Sequence, residues 1–316
     1  MNYAVIAGSG SYLPKRSLTN QELEKTLDTS HEWIHSRTGI SSRYIAENEE
    51  TTSWMAAEAA KLALQAAFLS PDSIDLIIVA TCTPDYFFPS TACYVKHQIN
   101  NQRTIPCFDM SAACNGFVSA MDVAKQYITT GSAQHVLIIG SEKMSSAVDW
   151  QDRATCVLFG DGAGAVILSA SEKPGILASK IHSTYDKDLI LTYPNLMVNP
   201  TGKLKMRGNE VFKLAVNMMG DIVDEVLSEA NLSKADVDWL IPHQANVRII
   251  KAIAKKLDLP MSQVVVTVEH QGNTSAASIP IALDHAIRNQ QIQRGQLLLI
   301  EGFGGGITWG AVLVRY

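Results

Sequence analysis

Five stretches of the 316-residue chain carry residue types that do chemistry. In Phe108-Asp109-Met110-Ser111-Ala112-Ala113-Cys114-Asn115-Gly116-Phe117, an apolar strand-like run ends in small residues and a cysteine. From Phe117 on, Met121, Val123, Ala124 and Tyr127 keep helical spacing, so Cys114 falls where a strand turns into a helix. A thiol at a helix N-terminus meets free N–H groups and the positive end of the helix dipole, which favour the nucleophilic thiolate. Read alone, such a cysteine is more often a small buried hydrophobe. Ile241-Pro242-His243-Gln244-Ala245-Asn246 runs from a strand end into a helix and puts His243 at a sheet edge. His270-Gln271-Gly272-Asn273-Thr274-Ser275 is a polar turn that presents Asn273 just ahead of another helix. Gly302-Phe303-Gly304-Gly305-Gly306 lacks the Lys-Ser/Thr ending of a phosphate loop; its glycines can bring backbone N–H groups to a reacting carbonyl, as an oxyanion hole requires. In His31–Arg43, Trp33 can stack on a nucleotide base while Arg37 and Arg43 contact phosphate.

The elements that position these residues repeat. Apolar runs at 75–80, 104–109, 136–140 and 162–168 alternate with amphipathic helices near 90–99 and from Cys114. The order returns as strands at 238–241, 264–268, 297–300 and 308–314 with helices near 245–257 and from about Ser275, at an offset of about 160 residues over most of its length. Such alternation predicts a layered α/β fold of two similar halves, 1–170 and 171–316, facing each other and packed as one body. The duplication sets Cys114 against a counterpart near Ser275 and draws Cys114, His243 and Asn273 toward one locus. Ahead of the repeat, residues 3–9 read as a strand, Asn20 as an N-cap, and 51–68 as an Ala-rich helix.

Composition narrows the function. A hydrophobic content of 47% and a net charge of -5 give no general attraction to nucleic acid or anionic membranes. The apolar runs are too short to span a bilayer, and the first residues lack a signal peptide's features, so a cytoplasmic location is expected. The five cysteines form no Cys-x-x-Cys pair, which argues against disulfides and structural zinc; no metal site is expected.

Taken together, Ser-Ala-Ala-Cys-Asn-Gly-Phe at 111–117, Pro-His-Gln-Ala-Asn at 242–246, Gly-Asn-Thr-Ser-Ala-Ala-Ser at 272–278 and Gly-Phe-Gly-Gly-Gly-Ile-Thr-Trp-Gly at 302–310 closely resemble the β-ketoacyl-acyl-carrier-protein synthase III family of the thiolase superfamily. Matching segments at 33–40, 152–165 and 208–213 extend the resemblance over almost the whole chain. It implies a duplicated five-layered α/β/α/β/α fold and a homodimer. It also implies an acyltransferase that initiates fatty acid synthesis: Cys114 takes an acyl group, usually acetyl, from acyl-coenzyme A, and malonyl-acyl-carrier protein then condenses with it as carbon dioxide leaves. Coenzyme A is then a substrate, and no resident cofactor is expected. By the same resemblance His243 and Asn273 stabilise the enolate, and the N–H groups of Cys114 and Gly305 form the oxyanion hole. Trp33 and Arg153 sandwich the adenine, Arg37 contacts phosphate, and Gly208, Ala245 and Asn246 line the pantetheine tunnel. The resemblance also implies that Phe88, or its neighbour Phe87, closes the acyl pocket of the partner subunit. On the helix after His243, Arg248, Lys251 and Lys255 share a face that suits an acidic carrier protein, with Lys256 and Lys213 as contributors. Asn115 stands where a small residue is expected. Degradative thiolases need a second cysteine, and hydroxymethylglutaryl-coenzyme A synthases a glutamate, in contexts that this chain lacks. A synthase III relative with another primer or extender, such as one serving a polyketide or quinolone pathway, and a non-catalytic acyl-coenzyme A binding module are the remaining readings.

Overall fold

A computed structural model of the chain describes residues 3–316. Met1 and Asn2, the start of the expected N-terminal half, lie outside the described residues. One sheet has five strands in the order Tyr3–Tyr12, Asp161–Ser171, His135–Lys143, Leu76–Ala80 and Cys107–Met110. The other has four, in the order Ile176–Ser183, Thr308–Arg315, Leu297–Gly304 and Trp239–Pro242. Each contains the same motif of an antiparallel pair continued by a parallel strand. Helices Thr52–Ala67 and Thr91–Gln98 cover the outer face of the first sheet, and Gly208–Glu229 and Val247–Lys256 that of the second. Helices Gly116–Thr129 and Ser278–Arg288 fill the space between the sheets. The result is the expected five-layered α/β/α/β/α fold.

Two local readings change. The expected strand at 264–268 survives only as a bridge between Val264 and Leu240. Beyond it the backbone partners are a side chain: the Gln244 amide donates to Val265 O (3.0 Å) and accepts from the N–H groups of Thr267 (2.8 Å) and Val268 (3.2 Å). That satisfies the polar groups that a fifth strand would have paired. The short helix Asn20–Leu23 is capped by Thr19 in a capping box with Glu22. Asn20 is instead buried, its amide donating to Ile40 O at 2.7 Å.

What lets the halves meet is a pair of glycines in each sheet. Gly140 pairs with Gly164 across adjacent strands, and Gly302 with Gly310 in the other sheet. Onto the first pair packs the helix start from the opposite half: a Cβ on Gly140 would overlap the Ala276 carbonyl, and one on Gly164 would lie 2.6 Å from the Ile281 nitrogen. Onto the second pair packs Asn115, whose Oδ1 would lie 2.9 Å and 3.1 Å from Cβ atoms on Gly302 and Gly310. Side chains there would push the central helices away from the sheets. We expect Gly140→Ala to cost at least about 1–3 kcal/mol in thermal unfolding, whereas Gly208→Ala, whose Cβ would meet nothing closer than Met206 Cε at 3.8 Å, leaves the melting temperature near that of the unsubstituted chain. Equal melting temperatures for the two variants would contradict the packing argument.

Candidate active site

Cys114 sits in a 3₁₀ turn, Ala113–Asn115, that opens the helix Gly116–Thr129. Ala113 has φ of 47°, a left-handed position costing about 1–2 kcal/mol for a residue with a Cβ. The surroundings enforce it. Thr308 Oγ1 donates to the Ala112 carbonyl at 3.2 Å, and Gly304 lies so close that a Cβ on it would stand 2.7 Å from the Cys114 nitrogen. The opposite half repeats the device: Ser275, φ 51°, opens the 3₁₀ turn Ser275–Ala277 that leads into Ser278–Arg288. Ser275 is thus the counterpart of Ala113, and Ala276 that of Cys114. The duplication nonetheless makes Ser275 a contact of the thiol, with Cys114 Sγ donating to its Oγ at 3.4 Å.

His243 follows the strand Trp239–Pro242 and is anchored by its N–H on the Glu301 carbonyl at 2.9 Å. Its Nδ1 lies 2.6 Å from Ser278 Oγ, which also accepts the Gln244 N–H at 3.2 Å. When the serine hydrogen points to Nδ1, one of the two tautomers that this contact admits, the imidazole proton stands on Nε2. Asn273 is held between halves: its N–H donates to Leu158 O at 2.8 Å and its carbonyl accepts from Gly160 N at 3.0 Å. Its Oδ1 accepts the Ser275 N–H at 2.8 Å, so the amide end left over is the donating NH₂. Cys114, His243 and Asn273 are only 6%, 5% and 6% exposed, and all three line one cavity of about 360 Å³.

Burial sets the charge states. It pushes His243 down to about 4, so the ring is a neutral donor at physiological pH. It pushes the Cys114 thiol up to about 12; the Ser275 hydroxyl lowers it and the nearby Glu142 carboxyl raises it. The expectation that a helix end leaves a thiolate is corrected here. A rise of that size corresponds to about 4 kcal/mol against the anion, whereas a helix terminus contributes about 0.3–1 kcal/mol.

The other expected site residues divide into those at the cavity and those away from it. Trp33, Arg37, Arg153, Gly208, Ala245 and Asn246 line the same cavity. At its mouth the guanidinium groups of Arg37 and Arg153 stand 4.5 Å and 5.1 Å from the Trp33 ring centroid. Asn246 caps the helix Val247–Lys256 by accepting from Arg248 N at 2.7 Å, and its amide donates to the Arg37 carbonyl at 3.1 Å. Arg248 reaches the cavity wall, while Lys213, Lys251 and Lys255 are exposed beside it. Lys256 is engaged elsewhere, its Nζ bonding Asp221 Oδ1 at 2.7 Å and Asn217 O at 3.0 Å. Gly305 is not in the cavity lining and packs against Leu191. Phe88 is 85% exposed and away from this cavity. Arg43 is a correction: it is fully buried and spends its guanidinium on the carbonyls of Leu18 (3.1 Å) and Val157 (2.7 Å), out of reach of a phosphate. Of the segment 189–206, Leu191 and Met206 line the cavity, whereas Met197 and Val198 are exposed.

Two segments match the models of the 3-oxoacyl-[acyl-carrier-protein] synthase III family, residues 108–184 its main part and 227–316 its C-terminal part. The β-ketoacyl-[acyl-carrier-protein] synthase III of Methylococcus capsulatus is 52% identical, over 99% of both chains. The chain belongs to the synthase III family. A relative of the same name from Alkalilimnicola ehrlichii is 53% identical over the full length of both chains. The crystal structure of 3-oxoacyl-[acyl-carrier-protein] synthase III from Aquifex aeolicus superposes with a TM-score of 0.95 at 51% identity, covering 99% of this chain and 100% of that one. As a synthase III, the protein is a condensing acyltransferase that initiates fatty acid synthesis. No helix among the described residues is long and apolar enough to cross a membrane.

Two residues beside the candidate site escaped the sequence reading, Ser278 behind His243 and Glu142, which accepts from Ser275 Oγ at 3.0 Å; Ser275, expected only as the counterpart of Cys114, contacts the thiol itself. Glu142 had one available signal, its place at the C-terminal end of a strand parallel to Leu76–Ala80, the edge where sites of such sheets collect. A further acid, Glu301, is fully buried with no hydrogen-bond partner on either carboxyl oxygen among the described residues, and burial raises it to about 8. The folded state then binds its proton more tightly than the unfolded chain does. Its contribution to stability is complete below the usual carboxylate range and is lost as pH rises through 8. Between pH 5 and 8, Glu301→Gln is expected to gain in melting temperature on the unsubstituted protein; parallel curves would contradict this.

Proposed function

We propose that this synthase III carries an acyl group, acetyl first, from acyl-coenzyme A on Cys114 and condenses it with malonyl-acyl-carrier protein. The observation that carries the reading is one cavity that holds Cys114 together with two neutral groups able to donate, the His243 imidazole and the Asn273 amide. Loss of carbon dioxide from the malonyl group leaves an enolate. Two donors aimed at its oxygen stabilise that charge, and a base is unnecessary because the departing carboxyl supplies the electron pair. The carbanion attacks the Cys114 thioester, the C–S bond breaks, and 3-oxoacyl-acyl-carrier protein leaves. The N–H groups of Cys114 and Gly305 hold the oxyanion of each tetrahedral intermediate.

The mouth of the cavity suits coenzyme A. Trp33 and Arg153, whose guanidinium stands 5.1 Å from the indole centroid, move apart to take the adenine between them, Arg37 meets phosphate, and pantetheine runs past Gly208, Ala245 and Asn246 to the thiol. No resident cofactor is needed. Arg248, Lys251, Lys255 and Lys213 present a positive rim to the acidic carrier protein, with Lys256 reduced by its bond to Asp221. A homodimer is supported by exposed apolar surface at Phe87, Phe88, Met197 and Val198, and Phe88 then closes the partner's acyl pocket. The location is cytoplasmic, without nucleic-acid or membrane partners.

A primer survey against malonyl-acyl-carrier protein tests the reading. Acetyl-coenzyme A should yield 3-oxobutyryl-carrier protein, and Cys114→Ala should lose more than about 10³-fold of that rate. Product from longer or branched primers alone would move the enzyme to a specialised pathway, and undiminished product in Cys114→Ala would remove the cysteine from the mechanism.

A further inference from the structure

The neutral resting site leaves a question of proton transfer: the thiol must lose its hydrogen when it attacks, and its hydrogen-bond partner is Ser275 Oγ, not His243. The nearest acceptor chain runs the other way, into the N-terminal sheet. Cys114 Sγ lies 3.4 Å from Ser275 Oγ, and Ser275 Oγ lies 3.0 Å from Glu142 Oε1. Glu142 and Ser275 are 0% and 2% exposed.

The rest of the carboxyl fixes where a proton can sit. Oε2 accepts from Thr81 Oγ1 (3.2 Å), Cys82 N (3.0 Å) and Thr83 Oγ1 (2.7 Å). Both threonine hydroxyls already accept a backbone N–H, Thr81 from Thr83 (3.1 Å) and Thr83 from Lys143 (2.8 Å), which leaves their hydrogens for the carboxylate. With Oε2 occupied by three donors, only Oε1, facing Ser275, can take a proton. The titratable groups beside it are the thiols of Cys114 and Cys82. Lys143, next in the chain, sends its Nζ to the Glu47 carbonyl instead.

We propose that Ser275 and Glu142 form a proton relay and store for Cys114, a role that rests on the acyl transfer proposed above. Glu142 starts as a carboxylate; burial raises its affinity for a proton, while its hydrogen bonds from Thr83, Cys82, Ser275 and Thr81 stabilise the anion. As Sγ attacks the acyl carbon, its proton passes to Ser275 Oγ while the serine hydrogen passes to Glu142 Oε1, which becomes a neutral acid. The carbon–sulfur bond to coenzyme A breaks, and coenzyme A leaves as a thiolate that takes a proton from water. The store stays filled through the acyl-enzyme. When condensation breaks the Cys114 thioester, the released thiolate recovers its proton through Ser275, now with both hydrogen bonds reversed. Over the cycle one proton is drawn from water, and it ends on coenzyme A. Ser275 touches the reacting sulfur and is catalytic; Glu142 acts through it as a positioning residue.

The relay predicts a proton count. The enzyme is mixed with stoichiometric acetyl-coenzyme A at pH 7 in weak buffer with an indicator dye, and acetyl-Cys114 is quantified by mass. One proton should be taken up per acetyl group bound, because coenzyme A is protonated by water while the thiol proton stays inside. Glu142→Gln and Ser275→Ala should acylate about 10²-fold more slowly and take up none. If Glu142→Gln does not fold, the count on the unsubstituted enzyme and on Ser275→Ala still decides. Acetylation with no proton uptake overturns the relay and leaves the functional reading intact. Failure to acetylate Cys114 overturns that reading.

Discussion

Everything in this protein depends on two helix starts reaching the sheet of the opposite half. Gly140 paired with Gly164, and Gly302 paired with Gly310, remove the side chains that would hold those helices off. The approach brings Ser275 of one half onto Cys114 and Glu142 of the other, and Asn273 into a backbone bridge with Phe159. Packing at this density leaves no slack. The left-handed turns at Ala113 and Ser275 are held in place by it, and so is the direction in which each functional atom points.

The electrostatics of the site follow from the same closeness. Burial makes charge expensive, so the thiol and the imidazole both rest neutral. A neutral imidazole that accepts the Ser278 hydrogen at Nδ1 donates from Nε2, which suits an enolate and would not suit a general base. Chemistry in such a cavity proceeds by fixed donors acting on charge as it develops, with little reorganisation.

The layered duplication was legible because strand and helix periods differ and because the order of elements recurs. The triad of Cys114, His243 and Asn273 was legible because each lies at a junction of strand, turn and helix, where the duplication could bring them together. What stayed hidden shared a cause: side chains replacing backbone, or backbone replacing side chains. Gln244 pairs the segment that patterns as a strand at 264–268, Arg43 turns inward onto two carbonyls, and nothing in the strands 136–140 and 308–314 tells that Gly140 and Gly310 admit a helix start. Glu142 reads as the polar end of a strand. Only the crossing of the two halves shows that it faces Ser275, the neighbour of Cys114.

The central claim is a division of labour, in which Cys114 carries the acyl group while His243 and Asn273 stabilise the enolate as neutral donors. Carbon dioxide release from malonyl-acyl-carrier protein in a Cys114→Ala background isolates the second task. The account predicts that adding His243→Ala or Asn273→Ala lowers this release by about 10²–10³-fold, and that either substitution alone leaves acetyl transfer to an intact Cys114 nearly unchanged. Carbon dioxide release untouched by both substitutions, or acetyl transfer falling in step with it, would contradict the claim.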